Sequence, residues 1–171
     1  MQTLKKTLIL LIFLSSLAFA NLYNKQAALN DISSKLPKMS SIKCKFKQEK
    51  YLKNIQNPII SGGDFEYIQN KGVYFYTKYP VESTTNFTNE KYKQINDIVN
   101  AISNKKYSKL DREFNFYYAG DISNWSLGLK PKQSSDAFKF INSITIEGMD
   151  YINKISINQT NGNKTLIWFK K

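Results

Sequence analysis

Histidine is absent from all 171 residues. That removes Ser–His and Cys–His nucleophile pairs and every metal site that needs an imidazole. Cysteine occurs once, as Cys44, so no disulfide can form within the chain even in an oxidising compartment. Stability then has to come from packing. Glycine is scarce: the seven present never fall into GxGxxG or GxxxxGK, the loops whose backbone N–H groups cradle phosphate. Acid is scarce too, thirteen Asp and Glu against twenty-five Lys and Arg, with no paired-carboxylate signature. These absences lead to the expectation of a protein that is not an enzyme, binds no metal and uses no cofactor.

Long apolar runs are missing except at the N-terminus. Lys5 and Lys6 precede the run "TLILLIFLSSL", and Ala18-Phe19-Ala20 supplies small residues beyond it. This is the three-part layout of a secretory signal peptide, and the run is short of the roughly 20 residues a spanning helix needs. The expected organisation is therefore a signal peptide over 1–20, cleaved after Ala20, and one domain over 21–171. Asn21, not Cys, follows the cleavage position, so the chain is not expected to be a lipid-anchored protein itself. The remaining 151 residues are enough for one real core.

The formal charge of +12 falls to +10 without Lys5 and Lys6. Export argues against nucleic acid as the partner, and the lysines are dispersed, many alternating with apolar residues. Such lysines read as a solvated face whose diffuse field attracts anionic lipid headgroups weakly.

What the chain does have is alternation. In "IKCKFKQE", Ile42, Cys44 and Phe46 alternate with Lys43, Lys45 and Lys47 and the pattern ends at Gln48, a strand with one buried face. Cys44 is read as a small buried hydrophobe. "PIISGGDFEYIQ" and "VYFYTKYP" flank Asn70-Lys71-Gly72 as a hairpin, and Gly62-Gly63 marks a bulge or close approach. Further strands are expected at "REFNFYYAG", "NWSLGLKPK", "FKFINSITIEG" (Phe138, Phe140, Ile144 and Ile146 sharing a face), "DYINKISINQ" (Tyr151, Ile155 and Ile157 sharing a face) and "NKTLIWFKK", the last two joined at Asn161-Gly162. Residues 22–36 space Leu22, Leu29, Ile32 and Leu36 as one helix ended by Pro37, and 89–110 carry the stripe Ile95, Ile98, Val99 and Ile102 as a second. The count is seven or eight strands, nearly all antiparallel, with two helical elements: an α+β domain.

Phe46-Lys47-Gln48, "NPIISGGDFEY", "NKGVYFYTKYP", "WSLGLKPK" and "NGNKTLIWF" follow one another in that order. The series resembles the LolA-type outer-membrane lipoprotein carriers of Gram-negative bacteria over roughly Leu36 to Phe169. The resemblance implies a curved, half-open antiparallel sheet, an unclosed barrel, covered by a lid of about two to three helices. It implies a monomeric periplasmic carrier that takes the acyl chains of a lipoprotein, or of another acylated envelope cargo, from an inner-membrane release complex to an outer-membrane acceptor, with transient membrane contact. By the same resemblance Phe46, Phe65, Tyr67, Val73, Phe75, Trp125, Leu127 and Leu129 form the wall, and Leu29, Ile32, Ile95, Ile98, Val99 and Ile102 the lid. Spacing alone reads these side chains as a filled core. The position before the hairpin turn, basic in close relatives, is Gln69, with Lys71 in the turn. The stretch from Ile95 to Lys132 is nearer to shorter relatives that move other envelope lipids. A module of the same fold that binds or senses envelope lipid without transfer is the alternative.

A carrier also makes energetic sense. Burying about 45 methylenes removes roughly 35 kcal/mol of exposure to water, beyond the practical affinity ceiling of about 18–21 kcal/mol. Cargo would pass between apolar settings and never equilibrate with water. A slightly imperfect wall, with Gln48 at its rim, would favour release.

Overall fold

The computed structural model describes residues 22–86 and 90–171; the expected signal peptide lies outside them. Nine strands form one antiparallel sheet: β1 (Ile42–Tyr51), β2 (Ile59–Ile68), β3 (Gly72–Tyr79), β4 (Ser83–Asn86), β5 (Phe114–Asp121), β6 (Asn124–Pro131), β7 (Ile141–Gly148), β8 (Ile152–Gln159) and β9 (Lys164–Lys170). Their order is β4-β3-β2-β1-β9-β8-β7-β6-β5, so the sheet stays open, with β4 and β5 at its edges and the last strand at its centre. Three helices, α1 (Leu29–Lys35), α2 (Glu90–Asn104) and α3 (Ser108–Glu113), complete an α+β architecture.

Local chemistry accounts for most of these elements. In β1, Cys44 and Phe46 are buried while Lys43, Lys45 and Lys47 are exposed, as a period of two requires. The lysines meet acids on the outer face: Lys43 pairs with Glu66 at 3.1 Å, and Asp64 lies between Lys45 and Lys78. Asn70 and Gly72 take positive φ at the β2–β3 turn, and Gly162 does so between β8 and β9. The register of β2 against β3 shifts between Gly62 and Gly63. A Cβ on Gly63 would sit 2.0 Å from the Tyr76 carbonyl oxygen, so only glycine admits this approach.

The inward residues of the strands and the stripe of α2 join in a single buried cluster. Phe46 meets Phe75 edge-on at 5.0 Å between centroids, and Phe65 packs against both Phe75 and Phe169. Trp125 satisfies its indole N–H by donating to the Met149 carbonyl at 2.7 Å, as a buried indole must. α2 packs on β3 and α3, while α1 and α3 reach β5.

Four expectations need correction. Residues 22–36 are not one helix. A 3-10 turn over Leu22–Asn24 precedes α1, and between them Gln26 bridges Tyr117 while the Ala27 N–H donates to the Phe116 carbonyl at 2.8 Å. The edge of β5 captures backbone that a helix would have used. The second helical run also divides: Lys105 adopts φ 53°, the Lys106 N–H donates to Ala101 O and the Lys105 N–H to Ile102 O. That is a Schellman turn without its usual glycine.

Phe138 and Phe140 do not share the inner face of Ile144 and Ile146; both are exposed. A 3-10 turn occupies Asp136–Lys139, β7 starts at buried Ile141, and the register shifts before Ser143. The fourth correction is the strand number: β4, all polar, has no apolar alternation to announce it.

Candidate functional site

β9 pairs with β1 from Tyr51↔Lys164 up to Lys45↔Lys170 and ends there. Beyond that pairing β1 continues to Ile42. At this end of the central strand lies a cavity of about 420 Å³, within the roughly 300–1,000 Å³ of small-ligand sites. Cys44 and Phe65, Tyr67 of β2, Val99 and Ser103 of α2, Ile152 of β8 and Phe169 of β9 supply buried wall residues. Exposed Lys38, Asp150 and Lys171 also belong to the lining, as does Lys43, whose ammonium is turned to Glu66 on the outer face.

Two polar residues of its lining, Tyr67 and Ser103, stand out. Among the described residues, the hydroxyls of Tyr67 and Ser103 are buried with no hydrogen-bond partner, and the residues are 1% and 0% exposed. An unmade hydrogen bond in such a place costs about 1–3 kcal/mol. The Cys44 thiol on the same wall is pushed up to about 11, chiefly by burial, with Lys171 and the Lys170 backbone pulling the other way. It therefore stays a neutral thiol around neutral pH.

The expected wall and lid residues are brought together. Phe46, Phe65, Tyr67, Val73, Phe75, Trp125, Leu127, Leu129, Ile32, Ile95, Ile98, Val99 and Ile102 are all buried in the one cluster, and Leu29 packs half-buried against it. Of these, Phe65, Tyr67 and Val99 line the cavity. Ile95 lines a separate cleft of about 160 Å³ with Gln48, Gln94, Ile157 and Gln159. Gln48 is half-buried there and donates to Ser61 Oγ at 3.3 Å, a polar border where β1 leaves the core.

Sequence reasoning missed Ser103, Met39, Ile152 and Phe169 as cavity residues, and Asn96 as a tether. A signal existed for Ser103: it follows Val99 by four residues, so it continues the α2 stripe as its polar member. Asn96 accepts from the Val73 backbone N–H at 3.3 Å and from Asn100 at 2.7 Å, tying α2 to β3. Lys105 Nζ donates to the Ser33 carbonyl at 3.0 Å, tying α2 to α1. The Gln69 N–H donates to Ser41 Oγ at 3.0 Å.

Asp64 and Glu66 are engaged by lysines on the outer face, and Asp111 lies 3.7 Å from Lys132. Among the described residues no three of Cys, Asp and Glu converge as metal ligands, and no helix is long and apolar enough to cross a membrane.

Fold and site together define an open-sheet α+β protein with helices over its apolar face and an amphiphilic cavity at the end of the central strand. No protein-family model matches the chain, and no curated protein matches it.

Proposed function

We propose that the protein is a periplasmic carrier, exported by a signal peptide over residues 1–20, that shelters acyl chains of a lipoprotein or other acylated envelope cargo between inner and outer membranes. In this reading the open sheet is the curved half-barrel, α1, α2 and α3 are its lid, and the donor and acceptor are membrane complexes. The observation that carries the reading is a continuous apolar face, under helices whose apolar residues share its buried cluster, with an open-ended cavity beside it. The order of motifs from Phe46-Lys47-Gln48 to the "NGNKTLIWF" strand adds to it. Exposed Ile55, Ile59, Ile60, Tyr79 and Val81, near Lys50 and Lys53, would serve transient contact with an anionic membrane.

The experiment is purification from a Gram-negative periplasm, mass spectrometry of co-purifying lipid, and transfer of an acylated lipoprotein to acceptor membranes. The expected result is bound lipid and transfer, both reduced in Val99→Trp, which fills the cavity. A lipid-free protein inert toward lipoproteins would overturn the proposal. Phe75→Glu or Leu127→Glu are poor probes, because both positions are fully buried and a charge there would unfold the core.

One observation favours the alternative, a lipid-binding or sensing module without transfer. At about 30 Å³ per methylene-sized group, 420 Å³ accommodates on the order of fourteen groups, one chain and not three. Tight lipid binding with no hand-off to acceptor membranes would select it.

A further inference from the structure

We propose that the protein docks end-on on anionic bilayers, through the end of the sheet where β1, β3, β6 and β8 finish, with the cavity at the opposite end held away from the lipid. This rests on the carrier reading for the presence of a membrane and adds the direction in which the molecule meets it.

Eleven large hydrophobic side chains are exposed among the described residues, and eight of them lie at this one end. Tyr51, Ile55, Ile59 and Ile60 belong to the β1–β2 hairpin, and Tyr79 and Val81 to the passage from β3 to β4. Phe138 and Phe140 belong to the 3-10 turn before β7 and the residue that ends it. Ile59 shares the strand parity of buried Phe65 and Tyr67, yet it is 49% exposed. The inner face at this end therefore runs past the packed core. The connections are also fastened to one another. The Lys53 N–H donates to Asn163 Oδ1 at 3.0 Å in the β8–β9 turn, and the Thr160 N–H of that turn donates to the Phe140 carbonyl at 3.1 Å. Tyr79 lies against Gly62, where a Cβ would sit 2.5 Å from its ring. From β3 to β7 there are five strand spacings, about 24 Å along the sheet.

Charge selects the partner. Lys50, Lys53 and Lys164 are exposed beside these tips and make no ion pair among the described residues, and Lys164 stands opposite Tyr51 in register. Of the acids nearest in sequence, Glu49 is bonded by Lys47 and Tyr51, and Asp136 by Lys139; Glu82 is the third. The cores of protein interfaces are depleted of lysine. Apolar tips flanked by lysines instead suit the headgroup boundary of an anionic bilayer, where methylene stems lie along apolar surface and ammonium groups meet phosphate. Direction follows from β1, which runs from Ile42 in the cavity lining to Tyr51 at the apolar end. Its length puts the two about 30 Å apart, a full hydrocarbon core. An acyl chain anchored in the docked leaflet cannot reach the cavity while this end holds the lipid.

The test is co-sedimentation of the purified protein, at low salt, with vesicles of phosphatidylcholine alone and of phosphatidylcholine mixed with phosphatidylglycerol. Partition onto the anionic vesicles should be about tenfold stronger or more. The pairs Ile55→Ser with Val81→Ser, and Phe138→Ser with Phe140→Ser, should each weaken it about fivefold or more at an unchanged melting temperature. Ile122→Ser, an exposed position at the far end, should leave it unchanged. In a Cys44→Ala background, an environment-sensitive fluorophore on Ile55→Cys or Phe138→Cys should blue-shift on the vesicles, and one on Ile122→Cys should not. A shift at position 122 equal to those at 55 and 138, or equal weakening by Ile122→Ser, overturns the end-on direction. Equal partition onto both kinds of vesicle overturns the anionic bilayer as the occupant. No vesicle binding while lipid transfer proceeds overturns this inference and leaves the carrier reading standing. End-on binding with neither bound lipid nor transfer supports the docking end and removes the carrier reading.

Discussion

Gly63 and Cys44 show what one side chain decides. Nothing but hydrogen fits at Gly63, since the carbonyl of Tyr76 lies 2.0 Å and the Lys78 amide 2.9 Å from where a Cβ would be. Gly63→Ala should therefore cost about 1–3 kcal/mol, read as a lower urea midpoint with unchanged slope. The Gly62-Gly63 pair was legible in the sequence as a bulge; which partner it approached was not. Burial raises the Cys44 thiol from an ordinary 9.0 to about 11. Between those values the unfolded chain releases a proton that the folded one keeps. Its contribution is thus fully present below pH 9 and is lost as pH rises toward 11. The stability advantage of the native protein over Cys44→Ala should shrink across that window in urea titrations. That Cys44 is buried followed from its place between Ile42 and Phe46; that it borders a cavity did not.

Among the elements, α2 covers the apolar face with the longest stripe of any helix. Its apolar stripe was legible at spacings of three and four, because a helix repeats every 3.6 residues whatever it packs on. Its end was not, because Lys105 takes the left-handed turn usually left to glycine. Nor was its tether. Asn96→Ala leaves the Val73 N–H without its acceptor and should cost about 1–3 kcal/mol. Amide exchange in α2 should accelerate more than in β1, and equal acceleration would mean that Asn96 does not specifically hold the helix. The first predicted helix broke for a related reason: Ala27 spends its N–H on Phe116 of β5, a partner 89 positions away in the chain that local spacing cannot register.

At the scale of the molecule, a net charge of +12 coexists with acids spread through lysine pairs on the outer face. Hydrogen bonds from Lys45 and Lys78 hold Asp64 below the usual carboxylate range, those from Lys47 and Tyr51 do so for Glu49, and Ser123 and Asn124 for Asp121. Because these values are depressed on folding, their stabilisation is present above the ordinary carboxylate pKa of about 4. It is lost as pH falls through the folded values, while the unbalanced lysines add repulsion. The urea midpoint should be nearly level from pH 7 to 5 and drop below about pH 4. Asp64→Asn should flatten part of that drop; an unchanged profile would show that Asp64 contributes nothing to it.

The inward and outward assignment of β1, β2, β3, β6 and α2 was determined by the sequence itself, since periods of 2 and 3.6 are properties of local backbone geometry. So were the turns at Asn70–Gly72 and Asn161-Gly162, where residue chemistry permits positive φ. Only the tertiary structure decided that β9 enters the middle of the sheet, between β1 and β8. The meeting of residues from β1, β2, α2, β8 and β9 around one cavity was likewise decided there. The physical reason is that strand pairing joins residues more than a hundred positions apart, as at Lys45↔Lys170, through packing that no local period records.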